Sequence, residues 1–325
     1  MALILTFKQQ PIDFIFPSEY DFEQINDFEQ INDLTYKFVS KANEEPITSI
    51  NERAFFGCKL LKSIIIPDSV KTIGNKAFAC CESLESVVIP DSVITIDRSA
   101  FAYCNALKSV VIGDSVKSIG ASAFSSCKSL ESIIIPDSVN TIGNCAFSYC
   151  KSLKSIVIPN SVNTIGNGAF DYCESLESVV IPDSVNTISN YAFDFCKSLK
   201  SIIIPDSVKI IAFRAFSNCT SLESVVIPNS VNTIDHCAFS SSESLKSIII
   251  PDSVNTIGFR AFASCESLEF VVIPDSIISI QKDVFSDCPS LKIITINGLP
   301  TEYLKKYFET NYPEIDLEYN DYLLK

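Results

Sequence analysis

Isoleucine recurs every 23 residues from Ile50 to Ile280 without a gap, and the residues around it recur with it. One of the eleven copies reads Ile73-Gly74-Asn75-Lys76-Ala77-Phe78-Ala79-Cys80-Cys81-Glu82-Ser83-Leu84-Glu85-Ser86-Val87-Val88-Ile89-Pro90-Asp91-Ser92-Val93-Ile94-Thr95. A fixed period sustained this far excludes a globule with one closed core. Each unit is a single supersecondary element that buries its apolar face only against its neighbours. Residues 50–297 are therefore expected to stack as eleven repeats. Residues 1–49 are expected to form an N-terminal capping segment, and 298–325 a C-terminal capping helix and acidic tail.

Within one copy the hydrophobic period changes. Ile73, Ala77, Phe78, Cys81 and Leu84 fall on one face of a short helix. Val87 and Ile89 then alternate with Ser86 and Val88, as in a strand. Pro90 cannot donate to a ladder and ends the strand, and Asp91-Ser92 supplies turn chemistry. Stacking such units gives one parallel sheet with strands about 4.8 Å apart. Every inward position becomes a column: phenylalanine from Phe55 to Phe285 and leucine from Leu61 to Leu291, with no exception. Burying each such side chain is worth roughly 1.5–3 kcal/mol, so the columns dominate the stability of the array.

The pattern C-x-x-L-x-x-I-x-I-P-x-S-V-x-x-I-G-x-x-A-F over residues 50–297 resembles the BspA-like, Treponema-type leucine-rich repeat. The resemblance implies an α/β leucine-rich-repeat solenoid, curved and right-handed. Its parallel β-sheet lies on the concave face and short helical or 3-10 arcs on the convex face. It also implies a binding scaffold, since better-known members are surface proteins that bind host proteins or other cells. It transmits no ligand.

The ends depart from the repeat. Thr301-Glu302-Tyr303-Leu304-Lys305-Lys306-Tyr307-Phe308 reads as an amphipathic helix with Thr301 as N-cap, placed to cover the open end of the core. At the other end the tandem Asp21–Asn26 and Asp27–Asn32 is expected to form a short helix.

The formal net charge of −14 sits mostly in the terminal segments: residues 1–49 hold nine acids against three bases, and 298–325 six against three. An acidic chain without a basic patch argues against nucleic acid, whose phosphates need Lys and Arg. No stretch of 18 apolar residues predicts membrane insertion. The start, Met1–Lys8, lacks a basic n-region and has too short an apolar run for a signal peptide. A cytoplasmic location is expected, with the cell surface as the alternative.

Catalysis and metal binding find little foothold, and no cofactor is expected. Ten of thirteen cysteines are columnar, with Ser242 in the one gap, and read as small buried hydrophobes. Cys80, Cys145 and Cys237 are extra. The lone histidine, His236, has no pocket and no orienting third group, so it reads as a surface residue. The Ile-Gly glycines are expected at positive φ in the turn into the arc. The Pro-Asp-Ser acids are expected to cap their own turns, because Asn160 and Asn229 substitute among them.

Three columns lie on the outer side of the strand. The first alternates in sign through all eleven copies, Lys62, Glu85, Lys108, Glu131, Lys154, Glu177, Lys200, Glu223, Lys246, Glu269 and Lys292. Alternation replaces like-charge neighbours with opposite pairs, each worth about 0.2–1 kcal/mol. Its stretch from Lys154 to Lys292 would also form the rim of a ligand face. The second column is serine from Ser63 to Ser247, followed by Phe270 and Ile293. The third runs Ile65, Val88, Val111, Ile134, Val157, Val180, Ile203, Val226, Ile249, Val272 and Thr295. An outward apolar stripe of this kind exceeds what a soluble monomer usually exposes. The candidate partner-binding residues are therefore Ile134, Val157, Val180, Ile203, Val226, Ile249, Phe270, Val272 and Ile293, weighted toward the C-terminal end. The expected partner is a protein. The competing expectations are a surface adhesin and a module that self-associates through the same stripe.

Overall fold

The computed structural model describes residues 28–32, 35–38, 47–299 and 301–320. It contains two compact units, residues 1–174 and 175–325, built from the same coil. The chain is a parallel-strand solenoid, as the 23-residue period predicts.

Each coil contributes two strands to two separate parallel sheets. In the first unit Ser63–Ile65, Ser86–Ile89, Ser109–Ile112 and Ser132–Ile134 pair in register, each residue opposite its equivalent 23 positions on. A second ladder joins Thr72–Ile73, Thr95–Ile96, Ser118–Ile119, Thr141–Ile142 and Thr164–Ile165. The second unit repeats both arrangements, for example Ser201–Ile203 with Ser224–Val226, and Thr233–Ile234 with Thr256–Ile257. The second sheet was not foreseen. A two-residue strand is too short to show a period.

Between the strands Pro, Asp, Ser and Val make a tight turn, with the Val93 N–H donating to the Pro90 carbonyl at 3.0 Å. The serine holds it to the preceding coil, and Asp91 Oδ1 accepts the Asp114 N–H of the following coil at 2.9 Å. Ser92 Oγ donates to the Val70 carbonyl at 2.7 Å, and Ser138, Ser161, Ser230 and Ser253 repeat that bond. The acids Asp68, Asp91 and Asp137 stay exposed. The local capping expected of the acids gives way to bridges between coils, made by the serine along the array and by Asp91 at its own turn.

The arc is a run of turns, not the expected helix. Its alternate N–H groups leave the coil altogether: Lys76 donates to Arg98 O at 3.0 Å, Phe78 to Ala100 O at 2.7 Å and Cys80 to Ala102 O at 2.8 Å. A helix would turn those donors inward to its own carbonyls, four residues back. Aiming them at the next coil requires a left-handed residue at two places per arc, such as Lys76 (φ 54°) and Cys80 (φ 62°). Among the described residues twenty non-glycine residues accept this conformation, which ordinarily costs about 1–2 kcal/mol each. The Ile-Gly glycines have a different duty from the expected one. A Cβ on Gly143 would sit 2.6 Å from Ala121 N, and one on Gly74 2.8 Å from Ile50 O. They permit close approach of backbones rather than a positive φ.

The core lies between the sheets and the arc. Phe78 and Phe101 stack at 5.0 Å between ring centroids, Phe101 and Phe124 at 5.4 Å, and the column from Phe193 to Phe285 repeats this in the second unit. The columnar cysteines do more than fill space. Cys81 Sγ donates to the Phe55 carbonyl at 3.1 Å and Cys104 Sγ to Phe78 at 3.1 Å, a bond repeated along the column. Burial pushes these thiols up, Cys150 to about 12, so they remain protonated donors. Ser242 is buried too, but its hydroxyl finds no partner among the described residues.

Both ends add a strand to the array. Phe28–Asn32 and Thr35–Phe38 form an antiparallel hairpin, and Thr35–Phe38 pairs parallel to Ser63–Ile65. The second half of the tandem is therefore strand, not helix. Phe28 and Ile31 supply β-forming residues, and pairing with an open sheet edge outweighs local helix preference. Residues 21–27 of the tandem lie outside the described residues, as does most of the segment 1–49. At the other end the helix Glu302–Asn311 begins on Thr301, whose side chain accepts from the Leu304 N–H as expected. Leu304 and Phe308 are buried. Asp316–Asn320 then pairs parallel to Ile293–Asn297.

Candidate protein-binding face

The first sheet has an inner and an outer side because successive residues of a strand point to opposite faces. Val87 and Ile89 are buried, while Ser86 and Val88 are exposed. The outer stripe is open along most of its length. In the first unit it comprises Ile65, Val88, Val111, Ile134 and Val157, with Val88 60% and Ile134 81% exposed. In the second unit Val180, Ile203, Val226 and Ile249 continue the pattern, with Ile203 75% exposed. Small serines stand beside each of them, so these side chains project rather than pack.

The C-terminal residues do not belong to this open surface. Val272 is only 8% exposed and Thr295 only 2%, and Phe270 and Ile293 are half-buried. Here the serine column is replaced by Phe270 and Ile293, whose bulk lies on the same side of the sheet. The strands also lengthen to Phe270–Pro274 and Ile293–Asn297. The weighting toward this end is therefore corrected. Val272 is part of the packed C-terminal closure, and the exposed stripe ends at Ile249.

Where the outer stripe meets the Pro-Asp turns, each unit carries a shallow groove. In the second unit it spans about 800 Å³ between Ile203, Pro205, Val226 and Pro228, with Asp206 and Lys209 at its edge. In the first unit Val88, Pro90, Val111 and Gly113 line a smaller one of about 540 Å³. Both are open to solvent rather than enclosed.

The Lys/Glu column flanks the stripe and is exposed throughout. Among the described residues one neighbouring pair of it closes, Glu269 with Lys292 at 4.0 Å. Closer pairs lie three positions earlier in the coil, Lys59 with Glu82 at 3.0 Å and Lys151 with Glu174 at 2.7 Å.

A family profile for the BspA type leucine rich repeat region, described as six copies of the repeat, matches residues 32–154, 117–246 and 186–314. The chain belongs to this family. Among solved structures the BspA type chain is similar to a leucine-rich repeat protein from Bacteroides ovatus, with 28% identity, 95% of this chain and 100% of that one covered, and a TM-score of 0.49. It is similar to a leucine rich cell surface protein from Faecalibacterium prausnitzii at 28% identity, covering 89% and 95%, with a TM-score of 0.49. It also shares its fold with the pneumococcal vaccine antigen PcpA, at 23% identity over 85% and 77%, with a TM-score of 0.54. No curated protein matches the chain.

The arc of this BspA type solenoid carries the titratable groups that sequence reading singled out or missed. His236 is part-exposed, with Nδ1 against Asp235 Oδ1 of the preceding residue. Among the described residues no cluster of three His, Cys, Asp or Glu side chains could hold a metal ion. No described helix is long and apolar enough to cross a membrane. Asp194 was missed. It is 2% exposed and receives Arg214 Nε at 3.2 Å and Asn218 Nδ2 at 2.9 Å. Burial pushes its carboxyl up, against the pull of Asn218 and Arg214. Its column is otherwise Ala and Ser apart from Phe56 and from Asp171 one repeat earlier, so two acids on successive repeats of a near-identical array were the available signal. Its partners bind it into the arc of the second unit, facing away from the open stripe.

Proposed function

We propose that this chain is a non-enzymatic protein-binding scaffold that engages its partner through the outer side of the first sheet. The observation that carries this is the run of exposed Ile and Val side chains on successive coils, five in the first unit and four in the second. Soluble proteins rarely leave contiguous apolar surface of this kind to water, and where they do it serves association. The stripe is not required for the fold, since the buried Val87 and Ile89 positions already supply the core. The open troughs beside it suit a peptide chain or a flat protein surface.

Substituting Ile203→Asp, Val226→Asp and Ile249→Asp together tests the proposal. The variant is expected to keep the circular dichroism spectrum of the parent and to lose partner capture from a cell extract. Undiminished capture by the folded variant would rule the face out.

A further inference from the structure

The Lys/Glu column of the first unit contains more order than the fold uses. Glu85, Lys108, Glu131 and Lys154 alternate in sign on successive coils and are all exposed. The one pair of the whole column that closes within 4.0 Å, among the described residues, lies at the far C-terminal end. The charges of the first unit instead stand out beside Val88, Val111, Ile134 and Val157, on the rim of the apolar stripe.

A ladder of alternating sign is complementary to itself. A second copy can be laid face to face on the first, related by a two-fold axis that runs along the strands and passes between two successive coils. The rotation reverses the order of the coils but keeps the charged rim on the same side. Each coil then meets one of opposite sign, so every Lys faces a Glu. With the axis between the Lys108 and Glu131 coils, Lys108 faces Glu131 of the second copy and Glu85 faces its Lys154. A ladder of one sign would repel its copy in every register. The stripe supplies the attraction: two faces of projecting Val and Ile, separated by serines, remove each other's apolar surface from water. The contact is isologous, so it closes at two copies.

We infer that the outer sheet face of the first unit binds a second copy of this chain, with the Lys/Glu ladder setting its register. This rests on the reading that the face is a protein-binding surface, and names one partner for it.

Sedimentation of the full chain over a range of concentrations tests the inference, using two charge variants. Lys62→Glu, Lys108→Glu and Lys154→Glu together make the ladder of this unit wholly acidic. Glu85→Lys and Glu131→Lys together make it wholly basic. The parent is expected to form dimers that weaken with added salt. Each variant alone is expected to stay monomeric with an unchanged circular dichroism spectrum, and an equimolar mixture of the two to recover dimers. Val88→Asp with Val111→Asp is also expected to be monomeric. A parent that is monomeric throughout, dimers that persist in both charge variants, or a mixture that stays monomeric overturns the inference. If the parent is monomeric while the Ile203, Val226 and Ile249 variant loses partner capture, self-association alone is discarded. If capture is also unaffected, the protein-binding reading falls with it.

Discussion

The Tyr312 hydroxyl accepts the Phe285 N–H at 3.0 Å. One coil earlier the Phe262 N–H donates to the Val284 carbonyl at 3.0 Å. The tyrosine thus replaces a backbone acceptor that no further coil provides. Tyr303 does the same for Ile280, donating to its carbonyl at 3.0 Å and accepting its N–H at 3.3 Å. Tyr307 donates to the Gln281 carbonyl at 2.6 Å. An array whose arcs bond from coil to coil leaves a row of unpaired groups at its end, and burying them unpaired is costly. Three hydroxyls from the terminal helix and its C-cap remove that cost.

Tyr312→Phe is therefore expected to destabilise the chain by about 1 kcal/mol, the net worth of one hydrogen bond. Hydrogen exchange is the sharper measurement. The Phe285 amide is expected to lose protection while the Phe239 amide keeps it.

Ser242→Cys is expected to stabilise. A thiol at this column position elsewhere reaches the phenylalanine carbonyl of the preceding coil, as Cys219 reaches Phe193 at 3.3 Å. The shorter hydroxyl of Ser242 is left without a partner. Gaining that bond is worth about 1 kcal/mol, readable as a rise in the midpoint of urea unfolding.

Alkaline pH is expected to unfold the chain through the same column. The folded thiols of Cys58 and Cys150 are raised to about 12 from an ordinary value of 9.0. Above pH 9 the unfolded chain releases these protons while the folded chain retains them, so stability falls as pH rises from 9 toward 12. Below pH 9 this contribution is complete. Thermal melts across the interval check the sign, and Cys150→Ala is expected to make the decline shallower while lowering stability at neutral pH.

Two conservative changes separate the glycine from the left-handed positions. Gly143→Ala is expected to cost about 1–3 kcal/mol, because the new Cβ would sit 2.6 Å from the Ala121 nitrogen. Ser122→Gly is expected to be neutral or to stabilise by up to about 1 kcal/mol, since Ser122 holds φ 57°. Equal destabilisation by both would show that the arc geometry is misassigned.

Val87→Asp and Val88→Asp give the plainest contrast. Val87 is buried and Val88 exposed on adjacent positions of one strand. The first is expected to prevent folding, because it buries an unpaired charge. The second is expected to leave the melting temperature within a few degrees of the parent.

Repetition made the solenoid, its period and its core columns legible. Phe78, Cys81, Leu84, Val87 and Ile89 were assigned inward from spacing alone, and all are buried. Thr301 was readable as an N-cap because its role depends on residues three positions away. The helix expected in the arc was not found. Apolar spacing says which side chains face inward, and a left-handed turn satisfies the same spacing as a helix. The destination of Lys76 and Phe78 N–H groups, 22 residues along, leaves no mark in the local sequence.

The sequence by itself determined that the chain stacks 23-residue coils, which columns are buried, and that an Ile/Val stripe faces outward beside a charge ladder. Those properties follow from composition at fixed spacing, and spacing survives any detail of backbone path. Only the tertiary structure decided that the arcs bond to their neighbours, and that the turn serines reach the preceding coil's carbonyl. Only it showed that Tyr303 and Tyr312 close the last coil and that Val272 leaves the open stripe. Each of these depends on what lies against a residue from another coil or from the terminal segment, and one strand's pattern cannot report its neighbour's bulk or hydrogen bonds.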